Sequence, residues 1–279
     1  MTAAILSSPS ARSRFPGFGL SLGFTIFYLS AVVLVPLLAL VLRPFEFHLQ
    51  DFWTAISSPR VLASLRLSFG AAMAAAAIDT VFGFIIAWVL VRYRFPGKRL
   101  MDALIDLPFA LPTAVAGIAL STLYAPTGWI GSVLAVYGIR VAYTPWGVLV
   151  AMVFIGLPFA VRTVQPVLQE LGRDLEEAAA TLGATRGQAI MRVVLPMLAP
   201  ALLTGAALAF ARGAGEYGSI IFIAGNLPMK SEIAPLLIIT KLEQFDYAGA
   251  ASIGVVMLAA SFVMLLALNG LQIWAAKRR

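Results

Sequence analysis

Asp79, Arg212 and Glu216 stand inside apolar stretches of this 279-residue chain. Arg212 and Glu216 are four residues apart, so on a helix they share a face and can form an ion pair in place. Charges in an apolar environment are costly, so these groups are expected to face a bundle interior or a wet pathway. Two readings are open: a mutual Asp79–Arg212–Glu216 packing network, or a lining along which a charged solute passes. The glycines around the pair admit the same two readings. Gly213, Gly215 and Gly218 loosen the helix where a backbone could approach a solute, or they serve close helix packing. The candidates for a pathway or gate are Asp79, Arg212, Gly215, Glu216, Tyr217 and Gly218.

Other chemistry is excluded. The chain has no cysteine, so disulfides, thiol nucleophiles and cysteine metal sites are ruled out. His48 is its single histidine, which argues against a histidine metal or proton site, and no metal ligand set is expected. No phosphate-binding G-x-x-x-x-G-K-[ST] loop occurs: Gly97-Lys98 runs on into Arg99, and Arg92 occupies the position of the first glycine. Nothing suggests a Ser/His/Asp or paired-carboxylate set. The chain is expected not to be an enzyme and to bind no cofactor itself. Energy for any work on a solute must come from a partner.

The elements that hold these residues are membrane spans. The chain is 61% hydrophobic and 12% charged, with mean hydropathy +0.93, against roughly half apolar and a quarter charged for soluble domains. This predicts an all-α polytopic membrane protein. Its net charge of +7 would suggest nucleic acid in a soluble chain; here no nucleic acid is expected and the basic residues set topology. Residues 1–19 form a Ser/Pro/Arg-rich terminal segment. The first apolar run, Leu20 to Leu42, exceeds the apolar core of a signal peptide and predicts a retained span. Phe45, Phe47, Phe52 and Trp53 mark residues 43–60 as an aromatic interfacial loop. The core, 61–274, then holds five more runs. Val61 to Val91 is rich in Ala and Gly for close packing. Met101 to Tyr124 contains Pro108 and Pro112, which kink or break a helix, and a short turn is expected over Trp129 to Val136. Thr144 to Val161 is the fourth run. The fifth starts after Pro196, runs through Ala211 and resumes at Ser219 to Ala224. Residues 225–247 read as a polar loop, Ala248 to Trp274 as the sixth run, and 275–279 as a basic tail.

Six spans put both termini on one side, and basic residues decide which. Thirteen lie on the termini's side: Arg12, Arg14, Arg92, Arg94, Lys98, Arg99, Arg162, Arg173, Arg186, Arg192, Lys277, Arg278 and Arg279. Five lie opposite: Arg43, Arg60, Arg140, Lys230 and Lys241. The positive-inside rule then makes the termini, the 92–99 loop and the 162–196 segment cytoplasmic.

Within that segment lies the one substantial helical stretch that is not apolar all round, Asp174 to Pro196. Asp174 with Glu177 reads as a capping box opening a short Ala-rich helix. Gly183 stands where a left-handed glycine would end it. Thr185 with Gln188 is a second capping box, starting a helix that carries Ile190, Val193 and Val194 and is closed by Pro196. Helix, glycine turn, helix makes a compact docking element on a membrane surface.

Glu177-Ala178-Ala179, then Gly183, then Val193-x-Leu195-Pro196, resembles the EAA loop of ABC-importer permeases; Val193 stands where the pattern usually has Ile. The resemblance implies the type I importer transmembrane fold. It also implies that the coupling loop, 173–196, inserts its first helix into a cytoplasmic ATPase through Glu177, Ala178, Ala179, Gly183, Leu195 and Pro196. ATP and Mg would be used by that partner. The stretch Ala211 to Pro228, then Ser231 to Leu237 and Lys241 to Gly249, with Leu107 to Gly117, is similar to the T-type permeases of sulfate/thiosulfate importers. What this implies is a bacterial inner-membrane assembly of this chain, a W-type permease subunit, two ATPase subunits and a periplasmic sulfate/thiosulfate-binding protein. Lys230, Glu232, Lys241 and Glu243 would meet the binding protein or be solvated loop charges. The alternatives are a permease for another oxyanion such as molybdate, and a secondary anion transporter that needs no ATPase.

Overall fold

The computed structural model describes residues 18–43 and 49–277. Calls on 1–17, on Phe45, Phe47 and His48, and on Arg278 and Arg279 lie outside these. Among the described residues there are helices and no strands, as expected for a bilayer, where each backbone polar group must be satisfied within its own segment.

Six stretches are long and apolar enough to cross a membrane. The first is α1 (Phe18–Leu29) and α2 (Val35–Leu42), joined through a π-helical turn at Ser30–Leu34. After the amphipathic α3 (Leu49–Ser57) comes α4 (Pro59–Arg92), the second span. The third run does not form one helix over Met101 to Tyr124. It is cut into α5 (Lys98–Ile105), α6 (Leu107–Ala110) and α7 (Thr113–Tyr124), with breaks beside Pro108 and Pro112 where the ladder loses a donor. α7 and α8 (Trp129–Val136) together supply the third crossing stretch. α9 (Pro145–Glu170) is the fourth, and it continues nine residues beyond the expected end at Val161, through Pro158 and Pro166.

The coupling stretch follows: α10 (Asp174–Thr181), α11 (Arg186–Ala189), a second π turn at Ile190–Val194, and α12 (Leu195–Ala214). Pro196 was expected to close a helix; instead it lies in the first turn of α12, and the helix runs through it. Proline lacks the N–H and crowds the carbonyl four residues back. The π turn relieves both, since the Leu195 N–H reaches back to the Ile190 carbonyl. The same device precedes Pro36, where the Val35 N–H reaches the Ser30 carbonyl. After α12 come α13 (Ile220–Ile223), α14 (Ala234–Glu243) and α15 (Tyr247–Lys277). The 225–247 segment is thus more than a polar loop: α14 buries Ala234, Leu236 and Leu237.

α4, α9 and α12 form the centre. α9 is over half buried along its apolar window, whereas the first span has no buried residue. Small residues allow the close approach. A Cβ on Gly83 would crowd Ala160, one on Gly205 would overlap Thr163 and crowd Ala160, and Gly213 sits against Ala72 and Met152. Such packing replaces the hydrophobic drive that lipid removes.

Candidate functional site

Two regions carry the candidate residues. The first is the coupling stretch. Arg173 rather than Asp174 is the residue before α10; Asp174 is its first helical residue and makes no side-chain cap. With Glu176 and Glu177 it puts three carboxylates in the first turn, where the helix dipole favours them without a cap bond. The C-terminus is as read. Gly183 has φ +83°, its N–H donates to the Ala180 carbonyl, and the Ala184 N–H donates to that of Ala179. That paired pattern is the Schellman stop. Thr185 and Gln188 form the reciprocal capping box. Glu177 and Ala178 are exposed, Ala179 is buried, Leu195 is half-buried and Pro196 exposed. The Glu177 carboxylate makes no hydrogen bond or ion pair among the described residues, and Leu182, which follows the last residue of α10, is 89% exposed. The element thus presents a free acid and an apolar tip outward.

Its placement agrees with one shared side for the 92–99 and 162–196 segments. Arg92, the last residue of α4, donates from Nε to Glu176 Oε1 at 2.8 Å and from Nη2 to the Gly172 carbonyl.

The second region is the turn after α12. Arg212 Nη1 meets Glu216 Oε2 at 2.5 Å. Glu216 is 2% exposed, and its other oxygen accepts from the Ser219 N–H at 2.9 Å and the Ser219 hydroxyl at 3.0 Å. One carboxylate therefore holds Arg212 of α12 and Ser219, the residue before α13, together. Gly218 packs against Thr113 of α7, and Gly117 of α7 lies on the Ser219 backbone so closely that a Cβ there would overlap it. Gly215 is exposed, a Cβ there meeting only the Ala211 carbonyl oxygen at 3.9 Å, and Tyr217 is half-buried. Arg212 keeps about a third of its side chain exposed, and its Nε and Nη2 make no hydrogen bond among the described residues.

Asp79 does not join this pair, so the three-residue network does not form. It lies at the α4–α9–α12 junction beneath Gly156 and Ala209, fully buried, with neither carboxylate oxygen hydrogen-bonded. Alternation of small residues along α4 (Ala72, Ala75, Ala76, Gly83) turns Asp79 into the same junction; the Arg212 turn is on a different level of the bundle.

Four ion-pair sites were not foreseen, the Arg92–Glu176 contact above and three more. Arg162, read as a loop residue, lies in α9 and grips Asp106 through Nε and Nη2 at 2.8 and 2.6 Å, and Asp102 through Nη1 at 2.7 Å. The signal was available: two carboxylates four apart on one face call for a cation. Glu232 was read as a surface charge; it is 4% exposed and bound to both Arg60 Nε and Nη2 at 2.8 and 2.6 Å. It ties α14 to the start of α4 and is not free for a partner. Lys241 pairs with Asp246 at 2.7 Å. That pair, with the Gly249 N–H, holds the Asp246 carboxyl below the usual carboxylate range.

Residues 79–279 match the family described as binding-protein-dependent transport system inner membrane component. Sulfate transport system permease protein CysT of Salmonella typhimurium is 49% identical over 263 residues, covering 94% of this chain and 95% of the relative. The protein of that name from Synechococcus elongatus is 51% identical over 254 residues, 91% of each. Among solved structures, a bacterial ABC transporter involved in the import of alginate aligns with TM-score 0.74 at 16% identity, over 92% of this chain and 95% of the other. The MetNI methionine ABC transporter aligns with TM-score 0.55 at 17% identity, over 78% and 99%. At those identities the structures speak for the fold, which is that of ABC-importer membrane subunits. Family match and near full-length identity together place this chain in the binding-protein-dependent transport system inner membrane component family.

Proposed function

We propose that this chain is the permease subunit of an ATP-driven importer of sulfate, with thiosulfate as a second substrate. The observation that carries the reading is about half identity, nearly end to end, to sulfate transport permeases. The protein is a multi-pass membrane permease and not an enzyme. Its coupling stretch and basic-residue asymmetry support a bacterial inner membrane with both termini cytoplasmic.

Two ATPase subunits supply the work, using ATP and Mg at sites of their own. α10 seats in a cleft of one of them, with Glu177 facing a basic residue there. A W-type permease completes the membrane pathway, and a periplasmic binding protein delivers the anion. ATP closes the ATPase pair, the coupling helices move as rigid bodies, and the cavity alternates between its two openings. The Arg212 turn suits the cargo. It offers unused guanidinium donors to a dianion, yet Glu216 cancels the charge, so the anion is met without being trapped. Anion discrimination belongs to the binding protein, where buried donors can reject a wrong size or protonation state.

Co-purification tests the assembly. An affinity tag on this chain, expressed with its chromosomal neighbours, is expected to retain an ATPase subunit in mild detergent. Recovery of the permease alone under conditions that preserve its fold would favour an ATPase-independent transporter.

A further inference from the structure

α10 is suspended more than embedded. Left-handed glycines bound it on both sides, Gly172 at φ +62° and Gly183 at φ +83°. Ala179 is its one buried residue. Beside it lies an open groove of about 370 Å³, with Trp88, Arg92, Arg173, Glu176, Glu177 and Arg186 in its wall. A short helix between two left-handed glycines, with an open groove along one side, can swivel when pushed.

One side chain from the central spans reaches across to hold it. The Arg92 side chain is 8% exposed, and its guanidinium lies 5.5 Å from the centre of the Trp88 ring, within reach of a cation–π attraction. From that position Nε and Nη2 engage the Glu176 carboxylate and the Gly172 carbonyl. Arg173 donates back to the Arg92 carbonyl at 2.6 Å. These contacts tie the hinge glycine itself and the α10 side of it, at Arg173 and Glu176, to the end of α4. Only the planar fork of an arginine reaches two such acceptors at once; a lysine is a point charge.

We infer that Arg92 is a positioning residue that locks the Gly172 hinge, so that the ATPase stroke on α10 reaches α4 instead of dissipating as rotation of α10. This rests on the reading of α10 as the ATPase-docking helix. The bundle centre is already packed through α4, α9 and α12, so the clamp governs the angle of α10 and not the integrity of the fold.

The test uses the complete importer in proteoliposomes, with sulfate uptake and ATP hydrolysis measured in the same vesicles. Arg92→Gln is expected to lose uptake by about tenfold while hydrolysis changes little, so that ATP consumed per anion rises. Arg92→Lys should fall between. Glu176→Gln, which keeps the Gly172 bond and the Trp88 contact, should raise the ratio less. Spin labels at Arg94→Cys and Leu182→Cys in the same complex should show a broader distance distribution when Arg92 is replaced. A wild-type ratio in Arg92→Gln, or an unbroadened distribution if that variant transports too little to measure, would overturn the inference. Glu177→Arg separates the two levels. Normal uptake there removes the docking reading itself, whereas lost uptake there with a wild-type ratio in Arg92→Gln removes only the clamp.

Discussion

Gly183→Val is expected to abolish anion uptake while the protein still inserts and accumulates in the membrane. No atom stands within 4 Å of a Cβ at this position, so a larger side chain meets open space. The cost lies in the backbone. Gly183 holds φ +83°, a left-handed conformation that costs an L-residue roughly 1–2 kcal/mol, and a β-branched residue is the worst fit. That is too little to unfold the bundle. It is enough to undo the Schellman bonds from Gly183 and Ala184 and to turn the end of α10 away from its partner. Gly187→Ala is the control, because Gly187 also has open space but no left-handed φ; it should transport normally. Glu177→Arg should match Gly183→Val in effect, since the proposed function takes its exposed, unpaired carboxylate as the charge offered to the ATPase. Uptake and anion-stimulated hydrolysis at wild-type levels in both variants would remove this element from the mechanism.

Glu216→Ala is expected to destabilise the permease by about 3 kcal/mol, the low end for breaking a buried ion pair. It strands the Arg212 guanidinium and leaves the buried Ser219 N–H without its acceptor. The low end applies because Arg212 keeps a third of its side chain exposed. Glu216→Gln retains the shape and one acceptor and should cost less. Thermal unfolding of the purified permease in detergent reads the order wild type, Gln, Ala. Equal melting of Ala and wild type would mean that Glu216 does not organise the turn.

Residues whose signal is local were legible in the sequence. Gly183 ends a helix through its own backbone, and Thr185 and Gln188 cap each other, so spacing alone sufficed. Arg212 and Glu216 met at the expected spacing, although Glu216 lies past the end of α12, in the turn that follows it. Where the outcome depended on a second element, the sequence was less informative. Asp79 could pair with Arg212 only if α4 presented it at that level; small residues on α4, α9 and α12 placed it beneath Gly156 instead. Arg162 was counted in a loop because the apolar run stops at Val161, yet tertiary packing carries α9 on to Glu170. Glu232 looked solvated because nothing near it in sequence needed it; its partner Arg60 is 172 positions away. Pro196 looked like a terminator since a π turn, which reorganises hydrogen bonds without a sequence signature, was not anticipated.

The proposed function makes this chain necessary for sulfate to enter the cell. In a strain lacking the gene, with the native chain supplied from a plasmid as control, uptake of radiolabelled sulfate should disappear and return with the plasmid. Growth should then depend on a reduced sulfur source, and molybdate uptake should continue unchanged. Intact sulfate uptake in the deletion strain, with molybdate uptake lost, would contradict the assignment and make the chain a molybdate permease.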